Sequence, residues 1–414
     1  MKKRSIIALL LVLVMLLSTA CGKAPATDTP TANDTPTTND SPVTNDTPAV
    51  DEKAPEVNKK VALILQAGGL GDQGFNDNAY AGLVECKDQY GLDINYVECA
   101  DATQGETLIR ELCEAGYGLI INLEASISGN MYHVAVDYPE ISFIAVGRQL
   151  RINAVDGFTE TPANVIESYI TLNEHSFLAG VAAAFVASEG NGIVEGLGGH
   201  DGCNIGVLFG ADSVGFYQYG DGFRQGALYY NPDAQVYMDF TVGFSDTANA
   251  QNIAENMINT MGCDVIWTCC GTAGLGGLEA VRLNNAYGIG VDSDQDSVQP
   301  GYMLTSAVRD NSSLIKFYVE KYLENDLAQT EPDVFNLSNG GVDITDMTVI
   351  AEYVTNQEKF EELKAVLEQT RAWISEGKIE VFDARMASIE ADGQRLDDWM
   401  QTSGKFVTYA ELSK

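Results

Sequence analysis

The stretch GGLGDQGFNDNAY, residues 68–80, puts Phe75 in a polar, Gly-rich loop. An apolar run at 61–65 precedes it, and a helix-like stretch at 79–90 follows. A core ring belongs inside a strand or on the buried face of a helix. A ring at the rim of a strand end suits a planar ligand that stacks on it. The glycines let the backbone turn sharply and approach such a ligand. Asn76 carries both a donor and an acceptor, matched to a base edge. Capping of the next helix by Asn76 or Asp77 is an equally natural use of the same residues. Gly69, Gly71 and Gly74 also fit the G-x-G-x-x-G dinucleotide turn, with Glu98 as the ribose-binding acid. Asp72, itself a candidate ligand-binding residue of the loop, argues against that reading. It sets a negative charge where a pyrophosphate would meet the helix N-terminus. No cofactor is expected.

The loop needs a scaffold, and the body supplies an alternating one. Strand-like runs fall at 61–66, 93–98, 118–122, 141–146, 204–209, 234–239, 264–269, 287–291 and 302–308. Helical stretches fall at 76–90, 104–115, 129–138, 164–188, 215–230, 246–260, 274–284 and 311–326. Continuous apolar strands imply a parallel sheet covered on both faces. The rhythm is that of an α/β fold with doubly wound parallel sheets. It breaks near 147–163, 292–301 and 328–341. Three breaks predict two lobes joined by three crossings. The first lobe takes 59–150 plus 301–328, and the second takes 164–291 plus 335–385. A helix at 356–376 and a short strand at 378–382 close the second lobe; residues 386–414 have no place in this plan. Ligands of open α/β sheets bind beyond the carboxyl ends of the strands.

The amino-terminal region points outside the cytoplasm. Lys2, Lys3 and Arg4 precede an apolar run at 6–17 that is short for a membrane span. Leu17-Ser18-Thr19-Ala20-Cys21 reads as a lipoprotein cleavage site, with 1–20 as signal peptide and Cys21 as the lipidated residue. Residues 22–58 repeat Asn-Asp-Thr/Ser-Pro and have too little apolar surface to offset ordering entropy. They read as a tether with a mean span of ~30–40 Å. The expected location is the extracytoplasmic face of the cell membrane, lipid-anchored, where nicotinamide cofactors are not supplied. The net charge of −35 is the wrong sign for a nucleic-acid partner. Besides Cys21, seven cysteines remain, an odd number without zinc-site spacing. Buried thiols are the default for those in apolar elements.

Several ordered motifs resemble one family. Residues 68–77 resemble the signature loop of the basic membrane protein family, lipoproteins that serve as nucleoside-binding components of ABC importers, purine nucleosides above all. The likeness continues through ITLNEHSFLAG (170–180), YGDGFRQGALYYNP (219–232), CDVIWTCCGTAGLGGLEA (263–280), IGVDSDQ (289–295), MLTSAVRD (303–310), GGVDI (340–344) and ISEGKIEVFD (374–383). It spans roughly 60–385 and implies a type I periplasmic-binding-protein fold, a nucleoside ligand, and an ABC permease with its ATPase as partner.

The resemblance also assigns residues. It implies that Phe75 and an aromatic residue of the second lobe hold the base, with Tyr219 in that position and Tyr217 and Phe216 as competitors. It implies that Asp292, at a strand end, accepts from a ribose diol; the alternative is a loop acid capping the next turn. Arg309 stands where the family often has Lys, so the charge survives with a different geometry. It can pair with Asp292, touch the ribose, or both. Gly271 and Gly274 are expected to admit close backbone approach. Gln66 stands where purine binders of the family carry Asp, which leaves the base preference open. Glu124, Ser126 and Ser128 also lie beyond a strand end.

An enzyme needs a catalytic constellation. His133, His175 and His200 are scattered, and neither a His-Glu-x-x-His helix nor a Gly-x-Ser-x-Gly elbow occurs. The chain therefore reads as a binding protein and not an enzyme. A sugar receptor or ligand sensor of the same fold, or a nucleoside hydrolase, are the alternatives.

Overall fold

Central strands of continuous Val, Ile, Leu and Ala build two six-stranded sheets. The computed structural model describes residues 57–99, 101–390 and 393–414. The proposed signal peptide, Cys21 and nearly all of the tether lie outside them. The strands are β1 (Lys60–Leu65), β2 (Asp93–Glu98), β3 (Leu119–Asn122), β4 (Ser142–Ala145), β5 (Val165–Ile170), β6 (Asn204–Phe209), β7 (Gln235–Asp239), β8 (Val265–Cys269), β9 (Tyr287–Asp292), β10 (Met303–Arg309), β11 (Asp333–Phe335) and β12 (Val342–Ile344). The helices used below are α1 (Phe75–Tyr90), α2 (Gly105–Glu114), α3 (Ser128–Asp137), α4 (Leu172–Ala187), α5 (Val214–Tyr230), α6 (Thr247–Met261), α7 (Gly274–Leu283), α8 (Asn311–Leu323), α9 (Thr348–Ala351), α10 (Gln357–Ser375), α11 (Ala384–Glu390), α12 (Leu396–Thr402) and α13 (Tyr409–Leu412).

The first sheet runs β11-β5-β4-β3-β1-β2 and the second β12-β10-β9-β8-β6-β7. All pairings are parallel except β10 with β12. Alternation within the strands builds a core on each face. Val61, Leu63 and Leu65 join one apolar cluster, and Ala62 and Ile64 join another. The edge strands β2 and β7 are half exposed and carry Asp93, Glu98 and Asp239.

The two-lobed doubly wound plan holds, but two segments belong to the opposite lobe from the one expected. Residues 164–170 are not the start of a helix. Val165–Ile170 form β5 in the first sheet, between β4 and β11. Glu167 and Ser168 interrupt the apolar run and hid the strand. Inside, the Glu167 carboxylate accepts from the Leu150 N–H at 2.7 Å, the Thr161 hydroxyl at 3.0 Å and the Tyr132 hydroxyl, so the polar residue is tolerated. Residues 303–309 are β10 of the second sheet, not part of the first lobe. The polar stretch after β9 is a local turn there: Gln295 Oε1 accepts from the Val291 N–H, and the Gln295 N–H donates to Ser306. The crossings therefore fall at Thr171, at Asp310 and across 336–341. The strand expected at 378–382 is irregular chain, held by Gln225 through the Glu380 carbonyl and the Phe382 N–H. Residues 386–414 continue into short helices, and Phe382, Ala387, Leu396 and Trp399 form an apolar cluster with Tyr217 of α5. All seven cysteines of the body are buried free thiols.

From Phe177 on, helix α4 is apolar on every face because it is enclosed by α5, α10 and the second sheet. Its crossing with α5 requires glycine. A Cβ at Gly180 would lie 2.0 Å from the Phe223 carbonyl oxygen, and one at Gly226 2.0 Å from that of Phe177. Alanine would gain ~1 kcal/mol in helix propensity, far less than the strain of parting two backbones. Gly226→Ala is expected to lower unfolding stability by about 2–3 kcal/mol in denaturant titration. An unchanged midpoint would show that the two helices separate freely.

Candidate functional site

The carboxyl ends of the parallel strands from both sheets open on one cavity of about 470 Å³, as the topology demands. Gln66, Asp72, Phe75, Asn76, Tyr219, Gly271, Asp292 and Arg309 all line it. Gly274 does not; it starts α7, where a Cβ would meet Thr268 and Cys270. Gly271 adopts φ +55°, a conformation that favours glycine.

Phe75 is the first residue of α1, and its ring is covered by the Arg309 guanidinium at 4.1 Å. Arg309 ends β10. Its Nε donates to Asn311 Oδ1 at 3.1 Å, and the Asn311 amide donates to the Phe75 carbonyl at 3.1 Å. The same Nε stands 3.9 Å from Asp292 Oδ1. Asp292 ends β9 in the left-handed region at φ +66°, a strained position more easily held by Asp than by most residues. Its Oδ1 accepts from the Tyr219 hydroxyl at 3.1 Å, and its Oδ2 has no protein donor among the described residues. Burial raises the Asp292 pKa, and Arg309 and the Tyr219 hydroxyl oppose that rise. One free carboxylate oxygen beside a guanidinium is a diol-binding arrangement.

Three expected contacts serve the loop itself. The Asp72 carboxylate accepts from the N–H groups of Gly74 at 2.9 Å, Asn76 at 2.9 Å and Asp77 at 3.2 Å. It thus fills the anion position at the start of α1, which removes the dinucleotide reading. Burial still raises its pKa. The Asn76 side chain accepts from the Gln66 N–H at 2.9 Å and donates to the Gly69 and Gln66 carbonyls at 3.0 and 3.3 Å. It braces the turn and is neither helix cap nor free base reader. Glu124 likewise braces Ala67 and Ser126 through their N–H groups, whereas Ser126 lines the cavity. Gln66 lines the cavity with no protein partner for its amide among the described residues.

Tyr219 is committed more deeply than a simple stacking platform. Its ring packs near His175 and Trp267, and its hydroxyl holds Asp292. Phe216, half-buried, lines the cavity with its ring 6.0 Å from that of Tyr219, and Phe244 lies 5.9 Å beyond. Tyr217 turns away to Asp212 and Arg395. His175 is fully buried, and burial, then Arg309, pushes its pKa down to about 3. It is a neutral core residue. His133 and His200 are not among the lining residues; His200 pairs with Asp264 at 2.7 Å.

Sequence reasoning missed Arg148, Asn153, Phe244 and Arg385, which also line the cavity. Arg148 follows β4, and its strand-end position was the available signal. Arg385 arrives from the C-terminal segment, for which no pattern existed. The Asp72 cap sets the entry of α1, and with it the orientation of Phe75. Asp72→Ala is expected to cost ~1–2 kcal/mol of unfolding stability, measured by denaturant titration; an unaltered midpoint would mean that the Gly-rich turn holds α1 without it.

The comparisons with known proteins agree with this architecture. Residues 59–373 match the family described as Bmp, ABC transporter substrate-binding protein PnrA-like. The chain is 27% identical over 306 residues to the ABC transporter nucleoside-binding protein BmpA of Lactococcus lactis subsp. cremoris, covering 69% of this chain and 81% of that protein. It is 27% identical over 267 residues to basic membrane protein A of Borreliella afzelii, covering 64% and 75%. Among solved structures, the ABC transporter solute-binding protein from Aeropyrum pernix K1 shares the fold with a TM-score of 0.65 at 21% identity, covering 78% of this chain and 93% of that one. One from Conexibacter woesei has a TM-score of 0.60 at 22% identity, covering 78% and 98%. The lobes, the strand-end cavity and the match over 59–373 lead to one conclusion: the chain belongs to the Bmp family of PnrA-like ABC transporter substrate-binding proteins.

Proposed function

We propose that the protein captures a nucleoside, a purine nucleoside first, between its lobes and delivers it to an ABC permease and its ATPase. Cys21 carries the lipid that holds it on the extracytoplasmic face of the membrane, and the tether lets the body reach the permease. The carrying observation is the convergence of Phe75, Arg309 and Asp292 at one cavity. An aromatic face for a base and a carboxylate beside a guanidinium for a diol are the two chemistries that a nucleoside joins. The nucleoside-binding relative from Lactococcus lactis supports the same ligand class.

Binding without turnover fits this site better than hydrolysis. His175 is held neutral in the core, and the carboxylate of Asp72 is engaged by backbone N–H groups. No helix among the described residues is long and apolar enough to cross a membrane, so the proposed attachment rests on the amino-terminal cysteine.

Calorimetric titration with adenosine, guanosine, inosine, uridine, cytidine and ribose tests the proposal. One purine nucleoside is expected to bind at micromolar affinity or better, with ribose silent. Phe75→Ala is expected to weaken that binding about 30-fold or more, from lost stacking and apolar burial, with the fold retained by circular dichroism. Equal affinity in the variant would remove Phe75 from the site, and heat from ribose alone would convert the reading to sugar transport.

A further inference from the structure

Two guanidiniums in the cleft have no task in nucleoside binding as described. Arg148 follows β4, and Arg385 is the second residue of α11, beyond the family match that ends at residue 373. Arg385 is only 7% exposed, yet it lines the cavity. Its Nη2 donates to the Gly147 carbonyl at 2.7 Å and approaches Asn153 Oδ1 at 3.5 Å. A guanidinium has five N–H bonds. The three on Nε and Nη1 have no protein acceptor among the described residues. Arg148 donates through Nη1 to the Ala125 carbonyl and through Nη2 to the Asn153 carbonyl, both at 3.3 Å. Asn153 therefore links the two cations.

Neither cation has a carboxylate within ion-pairing distance among the described residues. Asp292 stands with Arg309. Asp383 receives the Tyr169 hydroxyl, the Gln218 amide and the Arg385 backbone N–H. Glu167 receives Tyr132, Thr161 and Leu150, and Asp72 is held at the start of α1. Three arginines thus line a cleft whose nearest acids already have partners, in a chain of net charge −35. Burial lowers both guanidinium pKa values. Taking cations partly out of water is costly. Glu167 for Arg148, and Asp383 with the Tyr169 ring at 5.2 Å for Arg385, offset part of that cost from beyond ion-pairing distance; an anion on the ligand placed directly on the guanidiniums offsets more of it.

We infer that Arg148 and Arg385 form a subsite for an anionic oxygen group, so that the ligand class, resting on the nucleoside reading above, is a nucleoside 5′-monophosphate. A phosphate monoester brings three acceptor oxygens and nearly two charges, and a planar guanidinium matches it through paired N–H bonds. The C-terminal segment anchors on α5 through Arg395, which grips both Asp221 oxygens at 3.2 Å, and through the Trp399 cluster. It thereby carries Arg385 from the second lobe to Gly147 of the first.

The test is calorimetric titration of the full chain in detergent with each purine nucleoside, its 5′-monophosphate and inorganic phosphate. The monophosphate is expected to bind about tenfold or more tighter than its nucleoside. R385Q and R148Q are each expected to bring the ratio of the two affinities close to one. Should either variant fail to fold, salt makes the same distinction in the natural chain. Raising NaCl from about 50 to about 500 mM weakens the monophosphate and leaves the nucleoside nearly unchanged. A nucleoside that binds as tightly as its monophosphate overturns the subsite and leaves the nucleoside reading standing. Inorganic phosphate binding as tightly as the monophosphate overturns the assignment to a nucleotide. Silence from every nucleoside and monophosphate overturns both readings.

Discussion

The stacking of the Arg309 guanidinium on the Phe75 ring is the contact on which the cleft depends. It joins the end of β10 in the second sheet to the start of α1 in the first lobe. A cation over an aromatic face is worth ~0.5–1 kcal/mol when exposed and about 2 or more when desolvated. Here it is reinforced by Asn311, which accepts from Arg309 and donates to the Phe75 carbonyl. One residue therefore fixes the ring of one lobe, steadies the Asp292 carboxylate of the other and stands one residue before the crossing at Asp310.

Around that contact, the polar loop residues divide into those that build and those that stay open. Asp72, Asn76, Asp77 and Glu124 point their oxygens at backbone N–H groups. Such bonds are needed because a Gly-rich turn pays a large entropy to become ordered. The groups left open, the Gln66 amide, one Asp292 oxygen and the free edge of Arg385, come from different strand ends and a C-terminal helix. Preorganisation of this kind lowers the ordering cost of binding. The helix crossing of α4 and α5 supplies rigidity behind it, since Gly180 and Gly226 admit no gap between the backbones.

The C-terminal segment ties these parts together in a way that the strand-helix rhythm did not foretell. Asp383 receives Tyr169 from the first sheet and Gln218 from α5. Burial, followed by the charge of Asp383, raises the Tyr169 pKa, so the hydroxyl remains a donor at neutral pH. Residues after the family match thus reach both lobes and the cavity.

Much of this was legible beforehand because it is local. Continuous apolar runs wrote most of the strands, the alternation with helical stretches wrote the doubly wound class, and the resemblance named Phe75, Asp292 and Arg309 as residues of one site. The family motifs carried the two-lobed plan and the ligand class to be tested. What tertiary structure alone decided is non-local. It put Val165–Ile170 in the first sheet, because Glu167 finds hydroxyl and amide donors that no local pattern announces. It put Met303–Arg309 in the second, because Gln295 folds the preceding polar stretch back onto its own lobe. It turned Asn76 and Asp72 into braces by supplying backbone donors at hydrogen-bonding distance. It brought Arg385 to Gly147 across 238 residues of sequence, a separation at which only the folded chain, and not composition or spacing, determines which groups meet.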